Sequence, residues 1–328
     1  MPKASTKQPT QALQKSVEEL VEELFKSSED ELLNPDIPFN KVIFLEKLPE
    51  SFNKESKTAH DKFARLQGVG IPLFHRDGLV EVRQALVKEF PYAVHIIDNL
   101  LKPTFRRMSA GKEGIVFEPT ILVGEPGLGK TRLLSRLLEE LDIYHRKISV
   151  AGMQDDQIFG VPKGYATAMP SIMSTVIHDK EIGNPVFILD EIDKAQESKF
   201  ANVQHKLLGL LEKEEAMNWH EPYLQVPVNL YYVGWLMTAN TLSTISEPLK
   251  SRCHIMRMPT PELEHIPQIL NTIRTDLALD DGLDPRFIPG FDETEKSALV
   301  ESYAQHKSIR VLKRQVKEIL SLRELTLQ

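Results

Sequence analysis

Short apolar runs alternate along the chain with longer stretches in which apolar residues recur at helical spacing. Thr120–Val123 is an apolar run whose length is typical of a buried strand. Further strands are predicted at residues 145–150, 185–189, 231–238 and 254–258, and a helix at 203–215. The helix after the first strand has one apolar face, formed by Leu133, Leu134, Leu137, Leu138 and Leu141. Strands that alternate with helices predict a doubly wound parallel sheet, an α/β fold.

The segments on either side of this region have different patterns. Residues 1–10 are predicted to be disordered, and residues 12–26 to form an amphipathic helix that packs on its own protein or docks on a neighbour. Residues 34–78 are rich in proline and glycine and predict irregular structure. Helical spacing resumes at residue 79 with a break at Pro91, and everything after Pro261 is predicted to be helical. We therefore expect an N-terminal extension (1–78), an α/β nucleotide-binding domain (79–258) and a helical lid domain (259–328).

A glycine-rich loop joins the first predicted strand to its helix. It fits the pattern G-x-x-x-x-G-K-[ST] of the phosphate-binding P-loop, and its residues are Gly124, Glu125, Pro126, Gly127, Leu128, Gly129, Lys130 and Thr131. The glycines let backbone N–H groups turn toward phosphate oxygens, and the helix N-terminus adds partial positive charge. Lys130 is expected to reach the β- and γ-phosphates of ATP, and the Thr131 hydroxyl to bind Mg²⁺.

Acidic and amide side chains follow the third and fourth predicted strands. Asp190 and Glu191 stand at a strand end, on the carboxyl edge where parallel sheets bind ligands. Asp190 is expected to hold Mg²⁺, and Glu191 to polarise the attacking water as a general base. Asn240 is expected to orient that water. The simpler alternatives, solvated acids and an asparagine in a turn, are disfavoured because a P-loop precedes these residues.

Two arginines are candidates for contacts with phosphate. Arg252 precedes the fifth strand and is expected to act on ATP bound to a neighbouring subunit, as an arginine finger. Arg310 lies in the last helical stretch. For both, the alternative is a solvated surface cation. Cys253 is expected to be a small buried apolar residue, and the sequence has no Cys/His cluster at zinc spacing.

Composition narrows the class of protein. A length of 328 residues predicts about two domains, and 41% hydrophobic residues are enough to form cores. The net charge of −7 argues against a dedicated nucleic-acid binder. One cysteine, no apolar run long enough to span a bilayer and no signal peptide predict a cytoplasmic protein without membrane contact.

These residues together resemble the AAA+ ATPases and, more narrowly, the ATPase module of the Lon protease family. The resemblance covers roughly residues 80–328. Residues 184–194 are similar to the Walker B segment of that family, residues 223–242 to the run that ends in sensor 1, and residues 160–170 to the first pore loop. In this resemblance Asn240 is sensor 1, Arg252 the arginine finger and Arg310 sensor 2.

The resemblance implies an ATP- and Mg²⁺-dependent ATPase that works as a homo-oligomer, usually a hexameric ring, with ATP bound between subunits. Tyr165 and Ala166 would lie in the pore loop and contact an extended polypeptide, because an aromatic ring offers apolar contact to any sequence. Tyr92 and Ala93 would lie near the adenine. The expected function is remodelling or unfolding of a protein substrate, on its own or with a separately encoded effector.

Some features depart from the family. Lon proteases carry a Ser-Lys protease domain after the ATPase, and this chain ends at Gln328, so we expect no peptidase activity from the chain itself. Ala166 stands where the family usually has an aliphatic partner for the pore-loop aromatic residue. Two alternatives remain: an ATP-dependent oligomeric switch or assembly regulator with slow turnover, and a nucleic-acid motor or loader, which the acidic charge disfavours.

Overall fold

The computed structural model describes residues 40–49, 61–151, 156–195 and 203–326, and side chains as far as residue 323. The predicted disordered N-terminus and the predicted amphipathic helix at 12–26 lie outside the described residues. Strands and helices are numbered here within the described part of the chain. The division of the chain at residues 78 and 258 stays a prediction.

A five-stranded sheet forms the centre of the fold. Its order is β4-β5-β8-β3-β9, and every neighbouring pair is parallel. The strands are β3 (Thr120–Val123), β4 (His145–Ser149), β5 (Val186–Asp190), β8 (Gly234–Ala239) and β9 (His254–Arg257). The predicted parallel α/β sheet is confirmed, and each of the five predicted strands overlaps an observed one.

Both faces of the sheet are buried, as is usual for parallel sheets. Successive residues of β3 point to opposite faces: Ile121 and Val123 belong to one buried cluster and Leu122 to the other. Helices α1 to α3 cover the face of Leu122, and helices α5, α6 and α8 cover the opposite face. The helices of this region are α1 (Leu79–Glu89), α2 (Val94–Ser109), α3 (Lys130–Glu140), α4 (Asp156–Phe159), α5 (Ile172–Lys180), α6 (Val203–Leu211), α7 (Lys213–Met217) and α8 (Glu247–Ser251).

The helix predicted at 203–215 is two helices in the structure. Glu212 has extended backbone angles, with φ −100° and ψ 131°, and separates α6 from α7. The apolar spacing that suggested one helix ends at Leu211, so the sequence pattern did not reveal the break. A short antiparallel hairpin follows, formed by β6 (Trp219–Glu221) and β7 (Val226–Val228).

Two short strands precede the sheet, in a segment predicted to be irregular. β1 (Lys41–Ile43) and β2 (Gly70–Pro72) pair antiparallel. The prediction is wrong for these residues because Val42 and Ile71 are buried in the same cluster as one face of the main sheet. Gly183 donates its N–H to the carbonyl of Pro72 at 2.8 Å, which ties the strand pair to the chain just before β5.

The C-terminal region is helical, as predicted. It consists of α9 (Ile266–Asp280), α10 (Glu293–His306) and α11 (Ile309–Thr326). These helices share a buried cluster of their own, which includes Ile273, Leu299 and Val316. Within the described ranges, no helix is long and apolar enough to cross a membrane. Short 3₁₀ turns occupy Pro91–Ala93, Ile192–Lys194, Leu263–His265 and Pro285–Phe287.

Candidate nucleotide site

The glycine-rich loop lies between the end of β3 and the start of α3. Gly127 and Gly129 have φ angles of 84° and 87°, a left-handed conformation that glycine adopts without strain. A Cβ atom added to Gly127 would lie 2.7 Å from the Ser308 hydroxyl oxygen. Gly127 is therefore required both by the turn and by the close approach of the C-terminal helices.

Lys130 is folded over the loop and is only 8% exposed. Its Nζ donates to the carbonyls of Gly124 and Glu125 at 2.6 and 3.0 Å, and to Asn240 Oδ1 at 3.0 Å. Burial lowers the pKa of Lys130, while the charge of Asp193 acts in the opposite direction. Lys130 and Asn240 follow different strands of the sheet, and the two side chains thus meet at one end of it.

Asp190 accepts two hydroxyl hydrogen bonds at the end of β5. Thr131 Oγ1 lies 2.7 Å and Thr238 Oγ1 2.5 Å from Asp190 Oδ1. Hydroxyl and carboxylate oxygens are hard ligands of the kind that Mg²⁺ accepts, and Mg²⁺ usually takes its remaining ligands from water and phosphate. The adjacent oxygens of Thr131 and Asp190 therefore fit a magnesium ion bound together with a nucleotide.

Glu191 has a strained backbone and an occupied carboxylate. Its φ is 61°, which is uncommon for a residue other than glycine. Its N–H donates to Thr238 Oγ1 at 3.1 Å, and its Oε1 accepts from Lys194 Nζ at 2.5 Å. The Thr238 hydroxyl thus holds both acids, because it binds the side chain of Asp190 and the backbone N–H of Glu191. Lys194 therefore occupies one of the two carboxylate oxygens of Glu191.

Asp193 holds the turn in which Asn240 lies. Its Oδ2 accepts from the backbone N–H groups of Asn240 and Thr241 at 3.1 and 3.3 Å. Neither Asp193 nor Thr238 is among the predicted site residues. Asp193 follows Asp190 and Glu191 closely enough to have been considered, whereas Thr238 lies inside an apolar strand and gave no signal.

Residues from both flanks of the α/β region lie against the loop. Tyr92 OH donates to the carbonyl of Leu128 at 3.3 Å, whereas Ala93 is completely buried in the core. Arg310 is exposed in the first turn of α11. A Cβ at Gly127 would lie 3.3 Å from the Cβ of Arg310, so this arginine begins next to the loop.

Arg252 is engaged elsewhere. Its Nε lies 2.8 Å from Glu212 Oε1, and its Nη1 donates to the carbonyl of Pro248 at 3.2 Å. Glu212 is the residue that separates α6 from α7. The neighbouring Cys253 is partly buried, and this burial raises the pKa of its thiol to about 12, so it is neutral at ordinary pH.

Tyr165 lies on an exposed loop with a rigid base. Backbone hydrogen bonds of 2.8 and 3.2 Å between Val161 and Met169 close the loop, and Tyr165 is 67% exposed; Ala166 is exposed as well. The loop leads into Ser171, the N-cap of α5, whose hydroxyl donates to the buried carboxylate of Glu221 at 2.6 Å. Ser174 Oγ donates to the same carboxylate at 2.5 Å, so the β6–β7 hairpin and the loop share one anchor.

Comparison with known families identifies the central part of the chain. Residues 120–259 match the family model described as "ATPase family associated with various cellular activities (AAA)". This region is therefore similar to the AAA domains of that family. The match begins at β3 and ends just after β9, so it contains the P-loop and the Asp190, Glu191 and Asn240 positions.

The similar curated proteins are Lon proteases. Lon protease from Chlamydia pneumoniae is 30% identical over 228 residues, which cover 68% of this chain and 28% of the relative. The mitochondrial Lon protease homolog from Drosophila melanogaster is 31% identical over 199 residues (60% of this chain, 19% of the relative). Lon protease 2 from Hydrogenovibrio crunogenus is 29% identical over 314 residues (92% and 33%). The chain thus resembles an AAA module of Lon and spans about a third or less of these relatives.

Proposed function

We propose that this chain hydrolyses ATP to ADP and phosphate, with Mg²⁺, at the edge of the sheet where β3, β5 and β8 end. One observation carries the proposal: the contacts of Lys130 with Asn240 and of Thr131 with Asp190 join these three strand ends at the P-loop. The match of residues 120–259 to the AAA family supports the same reaction.

Each side chain of the site has a role that fits its position. Thr131 and Asp190 would hold Mg²⁺, which when bound neutralises phosphate charge and orients the phosphates. Lys130 adds positive charge at the β- and γ-phosphates, where charge develops in the transition state. Glu191 accepts the proton of the attacking water, and Asn240 orients that water. Arg310 approaches from the lid, next to Gly127.

We further propose that the protein assembles into a ring, a hexamer by resemblance, and remodels protein substrates. In that ring Arg252 would contact ATP bound to a neighbouring subunit, and Tyr165 would grip an extended polypeptide. The exposure of Tyr165 and the hydrogen-bonded base of its loop support the second role. The ring would act on its own or together with a separately encoded effector.

The ion pair between Glu191 and Lys194 favours a second candidate, an oligomeric ATP-dependent switch with slow turnover. A general base that is bound to a cation is less available to water. Lys194→Met should then raise the rate of hydrolysis. Lys296→Met is a matched control, because Lys296 forms a similar pair with Glu293 three residues away in α10, outside the region that matches the AAA family.

The test is steady-state ATP hydrolysis with and without an unfolded protein. Lys130→Ala should lose nucleotide binding, whereas Glu191→Gln should bind ATP without splitting it and so serves as the blank. Clear stimulation of the wild type by unfolded protein would support remodelling. Turnover that ignores unfolded protein would favour the switch, and ATP binding that survives Lys130→Ala would refute the site itself.

A further inference from the structure

Arg132 connects the P-loop helix α3 to two other helices. It directly follows Thr131, and its guanidinium faces the end of α1 on one side and α9 on the other. Its Nε and Nη2 donate to Glu89 Oε1 at 2.9 and 2.6 Å. Its Nη1 and Nη2 donate to the two oxygens of Asp276, the latter at 3.0 Å. The bond to Asp276 is therefore bidentate, the arrangement in which arginine binds carboxylates most strongly.

The charges around Arg132 are partly withdrawn from water. The side chains of Arg132, Asp276 and Glu89 are 37%, 23% and 15% exposed. Glu89 also accepts from Arg136 Nε at 3.1 Å, which joins Arg132 to a second arginine. Arg136 pairs with Glu139 and Glu140 as well, so the network contains two arginines and four carboxylates. Removal of Asp276 alone would leave Arg132 bound to Glu89 but not to α9.

Other contacts bridge the same boundary and bring the lid to the loop. The N–H of Ile309 donates to the carbonyl of Gly127 at 3.1 Å. Ile309 is the first residue of α11, where a helix provides no carbonyl for its N–H. This hydrogen bond is therefore made only while the lid is docked on the P-loop, with Ser308 and Arg310 on either side of it.

We propose that Arg132 is a positioning residue: through its bidentate bond to Asp276 it docks the lid on the P-loop helix and thereby holds Arg310 beside Gly127. The contacts that dock the lid are made by residues of this chain. The docked lid would place Arg310 where it can contact the γ-phosphate. This consequence for catalysis rests on the proposed ATPase function.

Amide hydrogen exchange at Ile309 measures this docking directly. Asp276→Asn keeps the shape of the side chain but removes the charge. Because Arg132 is 37% and Asp276 23% exposed, water screens part of their attraction. We therefore expect exchange at Ile309 to become faster by about tenfold, which corresponds to about 1.4 kcal/mol. The amide of Leu312, which donates to Ser308 within the lid, should be unaffected. The matched control is Asp280→Asn on the same helix, because Asp280 pairs with Lys313 inside the lid.

Unchanged exchange at Ile309 in Asp276→Asn would overturn the proposal, and so would an equal increase in Asp280→Asn. Faster exchange at both Ile309 and Leu312 would also overturn it, because that pattern means a loosened lid rather than an undocked one. ATP hydrolysis is measured separately on the same variants. If no variant and no wild type hydrolyses ATP, the proposed function fails, while the exchange result still decides the role of Arg132.

Discussion

Thr238 is expected to organise the site although it is not predicted to touch the nucleotide. Thr238→Val removes the hydroxyl that donates to Asp190 at 2.5 Å and accepts from the Glu191 N–H at 3.1 Å. A hydrogen bond to a charged group contributes about 1.5–3 kcal/mol, and an unpaired buried N–H costs about 1–3 kcal/mol. We therefore expect the free energy of unfolding to fall by about 2.5–6 kcal/mol, the sum of the two contributions. Both acids would also shift, and misplacement of about 1 Å costs about 100-fold in rate.

Thr104→Val is a matched control for this prediction. The Thr104 hydroxyl is equally buried and also makes one bond as donor and one as acceptor, both to Val116, at 2.7 and 3.0 Å. Urea unfolding should show a loss of stability in both variants, the smaller one in Thr104→Val, because the Thr104 hydroxyl bonds two neutral backbone groups. Steady-state ATP hydrolysis should fall by about 10- to 100-fold in Thr238→Val and by less than about twofold in Thr104→Val. Equal turnover in the two folded variants would refute the reasoning.

Three further predictions concern the rest of the site. Gly160→Ala should destabilise the protein more than Gly164→Ala. Gly164→Ala costs about 1 kcal/mol because of the positive φ alone, whereas the Cβ added at Gly160 would also meet backbone atoms, the nearest at 2.7 Å. Equal losses of stability in thermal unfolding would contradict this prediction. Burial raises the pKa of Glu221, so the wild type should lose stability relative to Glu221→Gln as the pH rises above 4.5. A difference in unfolding free energy between the two proteins that stays constant with pH, measured by urea unfolding, would refute this prediction. Arg252→Ala should lose ATP hydrolysis and regain it in mixed assemblies with Lys130→Ala subunits, which retain Arg252; absence of rescue would argue against action between subunits.

The sequence predicted the elements whose signal is local. The apolar run before the P-loop and the leucines after it define β3 and α3 without reference to any other part of the chain. The carboxylates after β5 were found for the same reason, because a strand followed by Asp190 and Glu191 is visible in one window.

The parts that were missed depend on contacts between distant residues. Thr238 resembles any β-branched residue of a buried strand until Asp190 is placed beside it. The strands β1 and β2 have three residues each, and only burial against the main sheet makes them strands. In the sequence, Arg132 looks like an ordinary polar residue on a helix. Its partner Asp276 is distant in the chain and comes close only through the orientation of the lid.

The family match begins at residue 120, but residues that precede it are also part of the buried core. Phe44 and Phe63, at 1% and 0% exposure, fill the space beneath one face of the sheet, while α1 and α2 cover the other. A fragment trimmed to the matched residues would expose both apolar surfaces, which favours aggregation. We therefore expect residues 41–49 and 61–73 to stay with the protease-resistant part of the protein after limited proteolysis. Truncations placed at the family boundary would test solubility and say little about catalysis.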